Sequence, residues 1–202
     1  MKNKILIILG DPESINSEII FKSWKKLPKK LRKQLIIISN FELLKSQLKR
    51  LKYKISLIKV DIKNLNIITD KLKIINVDLK FKKIFKFNKQ DLKKYILKSF
   101  SLAHSILLKE KSVKGLINCP IRKNMISNFG YGVTELLASK CHVKDGSEVM
   151  LIRNKKLSVS PVTTHINLKK VSQKLSRRLI ITKVISLNKN FKKIFFKKPK
   201  IA

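Results

Sequence analysis

Lys4-Ile5-Leu6-Ile7-Ile8-Leu9-Gly10-Asp11-Pro12 decides the fold. Its unbroken aliphatic run has no polar face to offer water, which suits a buried strand rather than a half-exposed one. Gly10-Asp11-Pro12 then breaks the run into a loop. Ile15 to Leu27 read as a helix that Pro28 ends, so the chain opens with a strand-loop-helix unit.

The same grammar recurs downstream. Leu35 to Ile38 predict a second buried strand, Ser39-x-x-Glu42 is a capping-box pattern opening a helix through Leu51, and Ile55 to Val60 predict a third strand. Residues 64–87 are ambiguous, with short apolar runs at Ile67-Ile68 and Ile74 to Val77 that suit edge strands or a surface excursion. From Gln90 to Lys111 the positions Leu92, Tyr95, Ile96, Phe100, Ala103, Ile106 and Leu107 recur at helical spacing, predicting a long amphipathic helix. It leads to a strand at Gly115 to Cys119, which Pro120 stops. A short helix follows, then a turn at Phe129-Gly130-Tyr131-Gly132 and a helix from about Thr134. Glu148 to Arg153 and Lys156 to Val162 predict two strands joined by a tight turn at Asn154-Lys155. A mostly helical segment runs from His165 to about Phe196, and Lys198 to Ala202 look like the start of another strand.

Strands alternating with helices predict an α/β fold, with a largely parallel sheet flanked by helices and one antiparallel hairpin. Sites in such sheets lie at the carboxyl ends of the strands. Three loops start there: Gly10-Asp11-Pro12, Cys119-Pro120-Ile121 and Thr163-Thr164-His165. Without an internal repeat or long linker, the expectation is one α/β unit over residues 1–202.

Composition narrows the function classes. With 202 residues and 44% hydrophobic content the chain can bury a sizeable core. No apolar stretch is long enough to span a membrane and no cleavable signal pattern precedes the first strand, so the expected location is cytoplasmic. Cys119 and Cys141 lie far apart, which indicates neither a disulfide framework nor a zinc knuckle. The net charge of +36, from 48 Lys and Arg against 12 Asp and Glu, raises a noncatalytic basic, polyanion-binding alternative. Yet lysines are spread over every segment, and lysine, isoleucine and asparagine are overused together, as an AT-rich coding sequence produces. Nucleic acid is therefore not the expected partner.

The chemistry-bearing residues come in a fixed order: Gly10-Asp11-Pro12 with Glu18-Ile19, Asn118-Cys119-Pro120-Ile121-x-Lys123, Gly132-Val133-Thr134-Glu135, Glu148-Val149-Met150-Leu151, and Val162-Thr163-Thr164-His165-Ile166-x-Leu168. This set resembles the 4-hydroxythreonine-4-phosphate dehydrogenase family of vitamin B6 (pyridoxine) biosynthesis, most strongly from Gly115 to Val171. The family's fold is similar to that of isocitrate and isopropylmalate dehydrogenases. The resemblance implies an oxidoreductase that uses NAD to oxidise the secondary alcohol of 4-phosphooxy-threonine, with decarboxylation to 3-amino-2-oxopropyl phosphate. It also implies a divalent metal (Zn, Mg or Co) acting as a Lewis acid, and a homodimer that shares the metal site across its interface.

On the same resemblance His165 matches a metal ligand and Thr134 a substrate-binding threonine. Val133 stands at the position of the family's substrate-binding histidine, and valine neither donates a hydrogen bond nor carries a proton. A related dehydrogenase acting on another phosphorylated hydroxy acid is the alternative this departure favours. Thr134 also reads as a helix N-cap, and Asp11 as either a site residue or a turn residue at a helix start. In place of the family's glycines the first loop carries Glu13, Ser14, Asn16 and Ser17, of which Asn16 is the one suited to a left-handed conformation. Lys123 reads as a phosphate or carboxylate partner, or as a solvated lysine. Cys119 reads as a small buried hydrophobe, and His104 and His142 as structural or exposed. The family's further metal histidines and most of its phosphate- and NAD-binding residues have no counterpart, and no glycine-rich dinucleotide fingerprint is present. The expectation is a truncated amino-terminal portion that does not turn over substrate alone.

Overall fold

The computed structural model describes residues 3–126, 132–143, 147–154, 156–164 and 166–202. They fall into two compact units, Met1–Ile126 and Ser127–Ala202.

The first unit is built on five parallel strands: β1 (Lys4–Ile8), β2 (Leu35–Ser39), β3 (Leu57–Lys59), β4 (Leu72–Asn76) and β5 (Val113–Asn118), side by side in the order β3-β4-β2-β1-β5. Aliphatic runs pair with aliphatic runs: Ile7 of β1 lies opposite Ile37 of β2 on one side and Ile117 of β5 on the other. Because side chains alternate across a strand, register divides the sheet into two apolar faces. Ile7, Leu9, Ile37, Leu72, Ile74 and Cys119 form one core with Ile20 and Trp24 of α1 (Asn16–Lys26) and Leu44 and Leu48 of α3 (Phe41–Arg50). A short helix, α2 (Lys29–Arg32), follows Pro28. The opposite face, with Leu6, Ile8, Ile36, Ile38 and Ile75, belongs to α4 (Lys89–Lys109), whose Leu92, Ile96, Phe100, Ala103 and Ile106 are all buried. Asn88 caps α4 by accepting from the Gln90 amide at 2.8 Å.

Several expectations are met and others are corrected. The ambiguous Ile74 to Val77 run lies in and beside β4, an interior strand between β2 and β3, whereas Ile67-Ile68 lie in a loop where Ile68 is exposed. The third strand is shorter than Ile55 to Val60, because only Leu57–Lys59 finds a partner in β4. The capping box at Ser39 is displaced by one residue. Ser39 ends β2, and it is Asn40 whose side chain accepts from the Leu43 amide at 2.9 Å.

The second unit contains α5 (Val133–Lys140), the hairpin strands β6 (Ile152–Arg153) and β7 (Ser158–Val159), α6 (Val171–Lys174) and α7 (Arg177–Phe195). The hairpin is antiparallel as expected, with Ile152 opposite Val159, but it pairs two residues a side. The helical segment after His165 is interrupted by Leu175 and Ser176, where Ser176 caps α7. The segment from Lys198 to Ala202 takes no strand conformation, correcting that expectation.

Candidate functional site

Moving along the chain from β1 to β2 and β4 goes one way across the sheet, and β5 then lies on the other side of β1. The loops after β1 and β5 therefore diverge at a topological switch point, the place where open α/β sheets form a ligand crevice. Gly10 makes the close approach there possible. Its φ of 71° is left-handed, and a Cβ would lie 2.8 Å from Ile121 Cγ1.

Asp11, fully buried, spans this switch point. Arg122 donates to its carboxylate through Nε at 2.5 Å and Nη2 at 3.2 Å, and Nη2 also reaches Glu13 Oε2 at 2.5 Å. The two carboxylates hold the Arg122 guanidinium still more firmly protonated than usual, through hydrogen bonds from Asp11 first. The second oxygen of Glu13 accepts from the Phe87 amide at 2.8 Å. Asn16 ties the same loops together: its Nδ2 lies 2.6 Å from Leu9 O, 3.1 Å from Asp11 O and 2.9 Å from Pro120 O. Asn16 is thus the first residue of α1, and it does not take the left-handed conformation open to it.

A second polar cluster secures the ends of β2 and β4. Tyr95 Oη accepts from the Asn40 amide at 3.0 Å, Asn40 Nδ2 donates to Val77 O at 3.0 Å, and Asn76 Oδ1 accepts from the Phe41 amide at 2.9 Å. Burial pushes the Tyr95 hydroxyl up, so it stays protonated and also donates to Ser39 Oγ at 3.3 Å. Gln47, on the buried face of α3, donates to Pro12 O at 2.8 Å and Ile84 O at 2.7 Å and accepts from Ser17 Oγ at 2.5 Å.

These contacts determine what the first-unit crevice can hold. The Glu13 amide donates to Asp11 Oδ1 at 3.0 Å, the Ser14 amide to Asp11 O at 3.1 Å, and the Glu18 and Ile19 amides to Ile15 O. These four amides are consumed internally and are not free to meet a phosphate. Asp11 and Glu13 share the single positive charge of Arg122, and among the described residues no group of three His, Cys, Asp or Glu side chains is placed to hold a metal ion. Asp11 is buried, accepts from the Glu13 amide as a turn residue does, and pairs with Arg122. Lys123 is exposed. Cys119 is buried as expected, and desolvation pushes its thiol up to about 11.

In the second unit, Val133 and Thr134 are half-buried in the first turn of α5. Gly132 precedes the helix and no side chain caps it, so Thr134 is not the N-cap. Glu135 Oε2 is buried without a hydrogen-bond partner among the described residues. Thr163 and Thr164 are half-buried in a loop after β7. His165 lies outside the described residues, as do Phe129, Gly130 and Tyr131 of the expected turn. His104 is half-buried in α4 and His142 exposed after α5.

Sequence reasoning missed Arg122, Gln47, Asn40 and Tyr95. Gln47 left a signal, a polar residue amid Leu43, Leu44 and Leu48 on the buried stripe of α3. Arg122 left none, since its partner lies 111 positions away.

A parallel sheet with a switch-point crevice, flanked by helices, places the first unit in the α/β class. The family is narrower than that: the chain belongs to the pyridoxal phosphate biosynthetic protein PdxA family, whose model matches residues 30–202. It is 34% identical over 210 residues to a 4-hydroxythreonine-4-phosphate dehydrogenase of Sulfurihydrogenibium sp. (strain YO3AOP1), covering 98% of this chain and 61% of that protein. A protein of the same name from Zymomonas mobilis is 24% identical over 93% of this chain and 57% of its own length. Among solved structures, the fold matches a 4-hydroxythreonine-4-phosphate dehydrogenase from Klebsiella pneumoniae with a TM-score of 0.83 at 20% identity, over 98% of this chain and 62% of that one. A counterpart from Burkholderia phymatum matches with a TM-score of 0.73 at 18% identity, over 95% of this chain and 58% of that one. The chain thus spans about three-fifths of the length of the relatives it matches.

Proposed function

We propose that this chain is the amino-terminal portion of a cytoplasmic dehydrogenase that oxidises 4-phosphooxy-threonine with NAD. The β-keto acid formed loses carbon dioxide to give 3-amino-2-oxopropyl phosphate for pyridoxal phosphate synthesis. The observation that carries this reading is the family match over residues 30–202. The absence of a membrane-length apolar helix among the described residues is consistent with it.

Thr134 is the proposed substrate contact, and His165 the proposed ligand of a divalent metal, on the resemblance of Thr163-Thr164-His165 to the family's motif. A divalent metal bound there supplies Lewis acidity toward the alcohol oxygen. Glu135 Oε2, unpartnered beside Thr134 in sequence, is an acceptor available to the substrate's ammonium group. Homodimerisation is supported by α7, which has no buried residue and leaves Ile180, Ile181, Val184 and Ile185 exposed.

The chain is expected to bind 4-phosphooxy-threonine weakly in calorimetry, to bind it more weakly still as Thr134→Ala, and to bind it more tightly as Val133→His. It is expected to form no NADH alone, because its five glycines include no dinucleotide fingerprint. Unchanged substrate affinity in both variants would remove Thr134 and Val133 from the site. Sustained NADH formation by the 202-residue chain would overturn its dependence on further protein.

A further inference from the structure

We infer that Lys4 and Lys73 form a binding site for one small monovalent anion, of chloride size, at the amino end of the first unit's sheet. Two ammonium groups converge there. Leu6 of β1 lies level with Ile36 of β2, and Ile36 with Lys73 of β4, so the alternation of side chains puts Lys4 and Lys73 on the α4 face of the sheet. Lys73 reaches back toward the amino end. Its Nζ donates to Lys33 O at 2.6 Å, one residue before Gln34, whose carbonyl accepts from the Ile5 amide at 3.0 Å. The head of Lys73 therefore lies at the entry to β2, beside the stretch of β1 that carries Lys4.

The protein does not balance these two charges. Lys73 is 1% exposed and Lys4 5% exposed, yet among the described residues neither enters an ion pair. Lys4 Nζ donates to Asn66 Oδ1 and to Ser112 Oγ at 3.1 Å, so the acceptors of both lysines are neutral. Glu110 acts on Lys4 from beyond pairing distance, one carboxylate against two ammoniums, which leaves one positive charge over. Donors are in surplus as well. Each ammonium has three N–H groups, of which Lys73 commits one and Lys4 two to acceptors among the described residues. Burial lowers both lysines from the ordinary ammonium value, and Lys4 lowers Lys73 further. A buried charge needs a counter-charge or is given up. One anion between the two heads accepts the uncommitted N–H groups and cancels the residual charge, whereas a water molecule does only the first. The burial of both side chains favours a compact anion over a bulky one. This inference rests on neither the family nor the proposed chemistry.

The test compares melting curves of the chain in sodium chloride and in sodium gluconate at one ionic strength, so that screening is equal in both. The melting temperature is expected to be higher in chloride, by a margin that grows with chloride concentration as linkage to a bound ligand requires. Lys73→Met is expected to abolish that margin, and Lys98→Met, at an exposed position on α4, to retain it. The line width of the chloride NMR signal reads binding directly: the broadening caused by the native chain is expected to fall in Lys73→Met and to persist in Lys98→Met. Should Lys73→Met fail to fold by circular dichroism, Lys4→Met reads the same site. Equal melting temperatures in the two salts overturn the inference. So does a chloride margin that survives in Lys73→Met, because surface lysines would then be holding the ion. NADH formation plays no part in the readout, so the inference and the enzymatic reading fail separately.

Discussion

At the scale of the residue, Gly10 and Cys119 face each other across the switch point and constrain it in different ways. Gly10→Ala forces a side chain into a left-handed backbone and a Cβ to within 2.8 Å of Ile121. Strain of this kind costs about 1–3 kcal/mol, expected as a lower midpoint in urea unfolding with the slope unchanged. Cys119 acts through ionisation. Burial raises its thiol to about 11, so the unfolded chain loses this proton first as pH rises, and the native state binds more protons over that window. Its contribution is fully present below the ordinary thiol range and falls between about pH 9 and 11. Tyr95, raised by burial, changes stability with the same sign, while Lys73, lowered by burial, changes it with the opposite sign. The stability difference between the native chain and Cys119→Ala, measured along a pH series, separates the thiol from both. That difference is expected to shrink as pH rises through the window, and a flat difference would contradict the burial argument.

At the scale of the element, α3 shows what one polar residue does at a helix start. Asn40 satisfies the Leu43 amide, donates to Val77 O and presents its own amide to Tyr95, so it joins α3 to the ends of β2 and β4. Asn40→Ala removes a cap and orphans a buried acceptor, at an expected cost of about 2 kcal/mol. A loss well below that in chemical denaturation would mean water replaces the side chain. The same helix shows how far sequence reaches. The apolar stripe of Leu43, Leu44 and Leu48 is local information, and so are the aliphatic runs that became β1, β2 and β5; periodicity exposes such elements directly. The cap was read one residue early because Ser39 and Asn40 are both good caps, and only the pairing of Ser39 with Asn76 decides that β2 keeps the serine. The interior place of β4 was illegible because Lys73 interrupts its apolar run. Its ammonium is accommodated in the core by donating to Lys33 O at 2.6 Å, a contact no local pattern encodes. The candidate site divides the same way. The roles proposed for Thr134 and Val133 come from motif order, whereas the Asp11–Arg122 pair exists only once β1 and β5 are adjacent.

At the scale of the whole molecule, the charge of +36 opposes compaction. Twelve acidic residues cannot neutralise forty-eight basic ones, and the ion pairs among the described residues engage few of them: Lys22–Glu18, Lys33–Asp70, Arg122 with Asp11 and Glu13, and Lys183–Glu148. Salt therefore acts on two opposed terms. Screening weakens the exposed pairs, and it also weakens the mutual repulsion of the many unpaired lysines. The Debye length falls from roughly 30 Å at 0.01 M salt to about 10 Å at 0.1 M, so repulsion across the surface is lost while contacts at hydrogen-bond distance largely persist. The melting temperature is accordingly expected to rise by several degrees over that range in sodium chloride, and to rise comparably in Arg122→Ala from a lower starting point. Loss of that side chain leaves Asp11 buried without its partner, which costs about 2 kcal/mol whatever the screening. A melting temperature that fell with salt would show that pairing, not repulsion, dominates the electrostatics of this chain.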